Sequence, residues 1–158
     1  MENISSFKID HTRLLPGLYV SRKDKVGTEI ITTFDLRICR PNVDEVMDTD
    51  EIHTIEHIAA TFLRNNIEYK DKVIYFGPMG CRTGFYFIMA GDYESKDVYQ
   101  LALDCFKFIS QFNDEIPGAS AIECGNYLDM NLTLAKARAK AYVEILEYAT
   151  DRQFVYPE

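Results

Sequence analysis

The sequence predicts an α+β fold: an antiparallel β-sheet with helices packed on one face, a two-layer α/β sandwich. Two observations point there. Segments with helical apolar periodicity are interspersed with segments rich in β-branched and aromatic residues. Their order is irregular, without the β-α-β rhythm that a parallel sheet requires. At 158 residues, with no internal repeat or linker, the chain is expected to form one domain, residues 1–158, with a substantial core.

The elements follow in order. Residues 26–39, with Ile30, Ile31, Thr32, Thr33 and Phe34, favour a strand or hairpin that Arg40-Pro41-Asn42 ends. A helix starts near Thr49, where Asp48 and Glu51 have the spacing of a capping box. Its apolar stripe is Ile52, Ile55, Ala59, Phe62 and Leu63, and it ends near Asn65-Asn66. Residues 72–76 and 84–90 are two strands flanking Gly77-Pro78-Met79-Gly80-Cys81. Residues 95–112 make an amphipathic helix with Val98, Leu101, Cys105, Phe108 and Phe112 on one face. Residues 116–124 are irregular or a short strand. Residues 132–149 form an alanine-rich helix with Tyr142, Ile145, Leu146 and Ala149 inward.

Charge narrows the function. A net charge of −8, with no lysine or arginine cluster, argues against nucleic-acid or anionic-membrane binding. Arg37, Arg40, Arg64 and Arg82 could still make one pocket positive for a small anion. Residues 1–10 lack an apolar run, so no signal peptide is expected, and uncharged stretches are too short to span a bilayer. Cys39, Cys81, Cys105 and Cys124 form no C-x-x-C pair and are expected to be thiols in a cytoplasmic protein.

The chemistry concentrates at His53-Thr54-Ile55-Glu56-His57. Two imidazoles four residues apart share one helix face and can grip one metal ion. Glu56 lies less than a third of a turn from both, where its carboxylate reaches a molecule held on the metal. H-x-x-E-H is the inverted zinc signature. Two histidines need a third ligand, a cysteine or a carboxylate. Cys124, at the corner before Gly125-Asn126, is the attractive choice, and three ligands leave a catalytic position open. Imidazole with thiolate suits Zn²⁺, Fe²⁺ or Co²⁺ better than Mg²⁺ or Ca²⁺. The bland alternative is a solvated histidine pair.

Other candidates are weighed in the same way. Cys81, on a glycine-bearing turn before Arg82, is either a nucleophile or proton shuttle, or an ordinary turn residue. Glu56 is the general acid/base candidate. Cys105 belongs to the core, and Cys39 to packing. His11 alone is a surface residue. Arg37 ends a strand, either binding a hydroxyl or carboxylate or making a surface ion pair. Two competing readings are a metallopeptidase-like hydrolase, whose third ligand is more often a glutamate, and a structural metal module with four protein ligands.

Five motifs occur in order: Ser6-Phe7-x-x-Asp10-His11-Thr12, Phe34-Asp35-Leu36-Arg37-x-Cys39-x-Pro41-Asn42, His53-Thr54-Ile55-Glu56-His57, Gly77-Pro78-Met79-Gly80-Cys81-Arg82-Thr83-Gly84-Phe85-Tyr86 and Glu123-Cys124-Gly125. With them the chain resembles the S-ribosylhomocysteine lyase (LuxS) family over almost its whole length. The resemblance implies a carbon-sulfur lyase that cleaves S-ribosylhomocysteine to L-homocysteine and 4,5-dihydroxy-2,3-pentanedione, the autoinducer-2 precursor. The family's place is in quorum-sensing signal synthesis and in recycling a by-product of the activated methyl cycle. The resemblance further implies a homodimer with active sites at the subunit interface and one divalent metal per subunit, Fe²⁺ natively and often Zn²⁺ or Co²⁺. By that match His53, His57 and Cys124 are ligands, and Cys81 and Glu56 are catalytic. Ser6, His11 and Arg37 bind substrate from the neighbouring subunit, and Arg64 lies near the homocysteine end. One stretch departs: the family commonly has an aspartate and a serine where this chain reads Tyr75-Phe76-Gly77. The homocysteine amino group is therefore expected to meet a different contact, a backbone carbonyl.

Overall fold

A computed structural model describes residue 4 and residues 7–157. Strands β1 (Gly17–Val26) and β2 (Glu29–Arg37) form a hairpin, followed by helix α1 (Thr49–Asn65), strands β3 (Val73–Pro78) and β4 (Gly84–Ala90), and helices α2 (Ser95–Gln111) and α3 (Leu132–Glu147). The sheet order is β1-β2-β4-β3, every pair antiparallel. The helices pack against this sheet, so the expected α+β architecture is the observed one.

Alternation along the central strands divides the sheet into two faces. Phe34 and Leu36 of β2 pair with Phe87 and Phe85 of β4, and Phe76 of β3 pairs with Phe87. All five are buried in the helix-facing core with Ile55, Ile58, Ala59 and Leu63 of α1. Val98, Leu101, Cys105, Phe106 and Ile109 of α2 and Ala135, Ala139, Tyr142 and Leu146 of α3 complete that core. Cys105 is core as expected. Phe108, expected on the inner face, is 41% exposed instead and packs sideways on Phe62 and Phe112.

The other face carries Thr33, Asp35 and Arg37 of β2 beside Tyr19 of β1 and Tyr86 and Ile88 of β4. The C-terminal tail crosses it: Tyr156 stacks on Tyr19 with ring centroids 4.8 Å apart. The tail's approach is close at Gly17, where any side chain would collide with the backbone of Gln153.

β1 was not anticipated as a separate strand. The apolar run marks β2 only, because the outer half of β1 is Arg22-Lys23-Asp24-Lys25, a charged edge that discourages pairing with further chains. Gly27, at φ +64°, makes the tight turn between the two strands.

The helix boundaries follow their sequence signals. Asp48 and Glu51 form the expected capping box at the start of α1. Glu51 is also buried and accepts from Arg138 of α3 at 3.0 and 3.2 Å, so one carboxylate caps α1 and ties two helices together. Phe87→Ala, which opens a cavity where β4 meets the helices, is expected to cost about 3–5 kcal/mol in denaturant unfolding.

Candidate metal centre

Burial of its apolar stripe fixes the rotation of α1. That rotation leaves His53, Glu56 and His57 half-buried on the wall of a cleft of about 490 Å³. The opposite wall is loop 112–131, which contributes Pro117, Gly118, Glu123, Cys124 and Gly125, while Phe76 of β3 also lines the cleft. The loop has turns but no strand.

Polar tethers give this irregular segment a defined position. Asn131 caps α3 by accepting from the Leu134 amide, and its own amide donates to Thr54 Oγ1 at 2.8 Å. Its side-chain amide donates to Asp50 at 3.1 Å. The Ser120 carbonyl accepts from the backbone of Glu123 and Cys124, closing the turn that presents the Cys124 sulfur.

Each histidine is oriented through its Nδ1. His57 Nδ1 lies 2.7 Å from the Pro117 carbonyl, and His53 Nδ1 lies 3.0 Å from the Asp129 carbonyl. A carbonyl oxygen only accepts, so both protons sit on Nδ1 and each Nε2 keeps a free lone pair. This is the outer support that metal-bound histidines require.

Cys124 completes the set. Its Sγ is 3.4 Å from His53 Nε2, and the three donor atoms lie within 4.8 Å of one another. Metal–sulfur and metal–nitrogen bonds of ordinary length at a tetrahedral angle separate the two donors by ~3.5 Å. The spacing therefore fits a transition-metal ion. The backbone amide of Asn126 points at the sulfur from 3.5 Å. Among the described residues this group has three members, not four, and its third donor is sulfur rather than carboxylate. That argues against both a closed structural module and the peptidase arrangement.

The remaining candidates fall elsewhere. Cys81 is exposed on the β3–β4 turn and does not line this cleft. Register brings it to the end of β2, because Gly84 pairs with Arg37 and has no side chain to block the Leu36 carbonyl. Cys81 Sγ is 3.1 Å from Thr83 Oγ1 and 3.8 Å from the Arg37 guanidinium. Burial raises the thiol's pKa, but the Thr83 hydrogen bonds and the Arg37 charge outweigh it and hold the thiol below its ordinary value. Cys39 and Cys105, by contrast, are pushed up by burial.

Of the two readings of Arg37, the surface ion pair is excluded by burial. It is 3% exposed, clamped by Asp35 at 2.6 and 3.1 Å, and donates to Thr83 at 2.7 Å. Arg64, in the last turn of α1, donates to the Ile74 carbonyl. His11 Nδ1 bonds the Ile9 carbonyl, away from the walls of the cleft. Ser6 lies outside the described residues.

Tyr75 and Gly77, within the stretch 75–77 that departs from the motif, are coupled. The Tyr75 phenol occupies the space that a side chain at position 77 would fill.

Sequence reasoning missed the supports: the Pro117 and Asp129 carbonyls, Thr83, and Asp35. Pro117-Gly118 was visible only as a turn signal. Gly118 adopts φ +69°, and an added Cβ would lie 3.3 Å from His57 Nδ1. Gly118→Ala is therefore expected to strain the loop and displace the Pro117 carbonyl, weakening Zn²⁺ or Co²⁺ binding by about 10–100-fold in chelator competition.

Comparison with known proteins follows this geometry. The family model described as S-ribosylhomocysteinase (LuxS) matches residues 4–152. The chain is 57% identical over 158 residues to an S-ribosylhomocysteine lyase of Clostridium beijerinckii, covering 99% of each. It is 54% identical to one of Finegoldia magna and 51% identical to one of Porphyromonas gingivalis, each over 100% of both chains. The paired imidazoles, the facing cysteine sulfur and this full-length similarity place the chain in the S-ribosylhomocysteinase (LuxS) family.

Proposed function

We propose that this protein cleaves the thioether of S-ribosylhomocysteine, releasing L-homocysteine and 4,5-dihydroxy-2,3-pentanedione. The observation that carries the reading is the three-donor group with Glu56 beside it, in a chain of this family. A divalent metal held by His53, His57 and Cys124, iron in the cell with zinc or cobalt as substitutes, supplies a Lewis acid that makes carbons beside the sugar carbonyl acidic.

The protein's own groups then move protons. The Cys81 thiolate takes a proton from the carbon beside the carbonyl and returns it to the former carbonyl carbon, while Glu56 shuttles a proton between the two oxygens. The carbonyl thereby migrates along the chain. Once it stands two carbons from the thioether-bearing carbon, loss of the proton between them expels homocysteine as a thiolate. Carbonyl migration and β-elimination are both redox-neutral.

Cys81, Arg37 and His11 do not line the chain's own cleft. This supports a homodimer in which those elements, with Ser6, complete the partner's cleft at the interface. Arg64 serves the homocysteine end. Charge and composition support a small-molecule substrate over nucleic acid, and no helix among the described residues is long and apolar enough to cross a membrane. The four free cysteines support a cytoplasmic location.

Metal-loaded protein incubated with S-ribosylhomocysteine should release titratable thiol. No thiol above background would overturn the assignment. Cys81→Ala and Glu56→Gln should each lower kcat by about 10²–10⁴-fold with metal content unchanged. Turnover should fall as pH drops through the thiol's lowered pKa, because the proton acceptor is the thiolate. Mixing inactive Cys81→Ala with inactive His57→Ala should restore part of the activity if sites are shared, and none if each chain works alone.

A further inference from the structure

The outer face of the sheet holds a buried polar chain, and the proposed reaction gives two of its members, Asp35 and Tyr156, no part. Tyr156, on the tail, donates its hydroxyl to Asp35 Oδ2 at 2.8 Å. Asp35 is 1% exposed and grips Arg37 through both carboxylate oxygens. Arg37 spends its remaining contacts on Thr83 and on the Cys81 sulfur. Four side chains thus lead from the tail to one thiol, and three of them, Asp35, Arg37 and Thr83, are buried.

Each link has a reason to be where it is. Asp35 and Arg37 are two residues apart on one strand and so share a face. Tyr156 reaches them because its ring stacks nearly parallel on Tyr19, which pairs with Asp35 across β1 and β2. A guanidinium held on two sides by one carboxylate cannot swing, so its remaining N–H groups point in a fixed direction.

We propose that Asp35 and Tyr156 are positioning residues: they lock the Arg37 guanidinium against Thr83 and Cys81, so docking of the tail sets the reactivity of the catalytic thiol. This rests on the assignment of Cys81 above. Arg37 and Tyr86 are the ionisable groups that interact with the thiol, and Asp35 and Tyr156 stand behind the guanidinium.

Charge alone and positioning predict opposite outcomes. Removing the Asp35 charge leaves Arg37 more positive, so a purely electrostatic role makes Cys81 more acidic in Asp35→Asn. Positioning makes it less acidic, because the freed guanidinium leaves the sulfur. Tyr156→Phe keeps the ring and its stack and removes only the hydroxyl, so the test does not depend on Asp35→Asn folding.

The readout is the rate of Cys81 alkylation by iodoacetamide against pH, located by peptide mass mapping on metal-loaded protein. It needs no turnover, so failure of the lyase assignment is distinguishable from failure here. Tyr156→Phe should slow alkylation at neutral pH by about threefold, a rise of about half a pH unit in the midpoint. Asp35→Asn should raise the midpoint further. A midpoint unchanged in Tyr156→Phe, or lowered in Asp35→Asn, would overturn the proposal. A merely structural role would lower the melting temperature and leave the midpoint alone.

Discussion

Ile55, Ile58, Ala59 and Leu63 must leave water together, so α1 can sit against the sheet in only one rotation. That burial is worth roughly 1.5–3 kcal/mol for each large side chain. It also decides where the polar residues of the same helix point. His53, Glu56 and His57 lie at the border of the buried stripe, neither sunk in the core nor free in solvent. The candidate metal centre is in this sense a by-product of core packing: the sheet aims the imidazoles by fixing the rotation of α1.

The loop facing α1 works by a different principle. It has no ladder or helix to satisfy its backbone, so its carbonyls and amides are available for other partners. Two carbonyls orient the histidines, one amide faces the Cys124 sulfur, and Asn131 joins the loop's end to Thr54 and Asp50. Regular structure there would have consumed those groups. The third candidate donor, Cys124, is therefore carried on a segment placed by side-chain tethers.

Much of this was legible in the residues. The 3.6-residue stripe and the capping box gave α1, and the i, i+4 spacing gave its metal face. The β3–β4 turn was marked by glycine and proline. Three features were not legible. β1 hid because a charged edge strand lacks alternation. Arg37 was open to two readings, ligand binding or a surface ion pair, because its buried state depends on Asp35 and on a tail more than a hundred residues away. The orienting carbonyls hid because backbone atoms leave no mark on residue identity. Local periodicity speaks for local structure, and long-range polar pairs become visible only once the strands are in register.

The Asp35–Arg37 pair has a consequence for how the chain becomes native. Tyr142 of α3 donates to the Gly17 carbonyl across 125 positions of sequence, and Gln153 packs on the same residue. Contacts between such distant positions form late, since a long loop must close before they repay its entropy. Until then the carboxylate and guanidinium on β2 remain hydrated. Their dehydration coincides with closure of the chain on itself, so an intermediate holding every strand and helix would still have a wet, loosely held arginine behind the Cys81 sulfur.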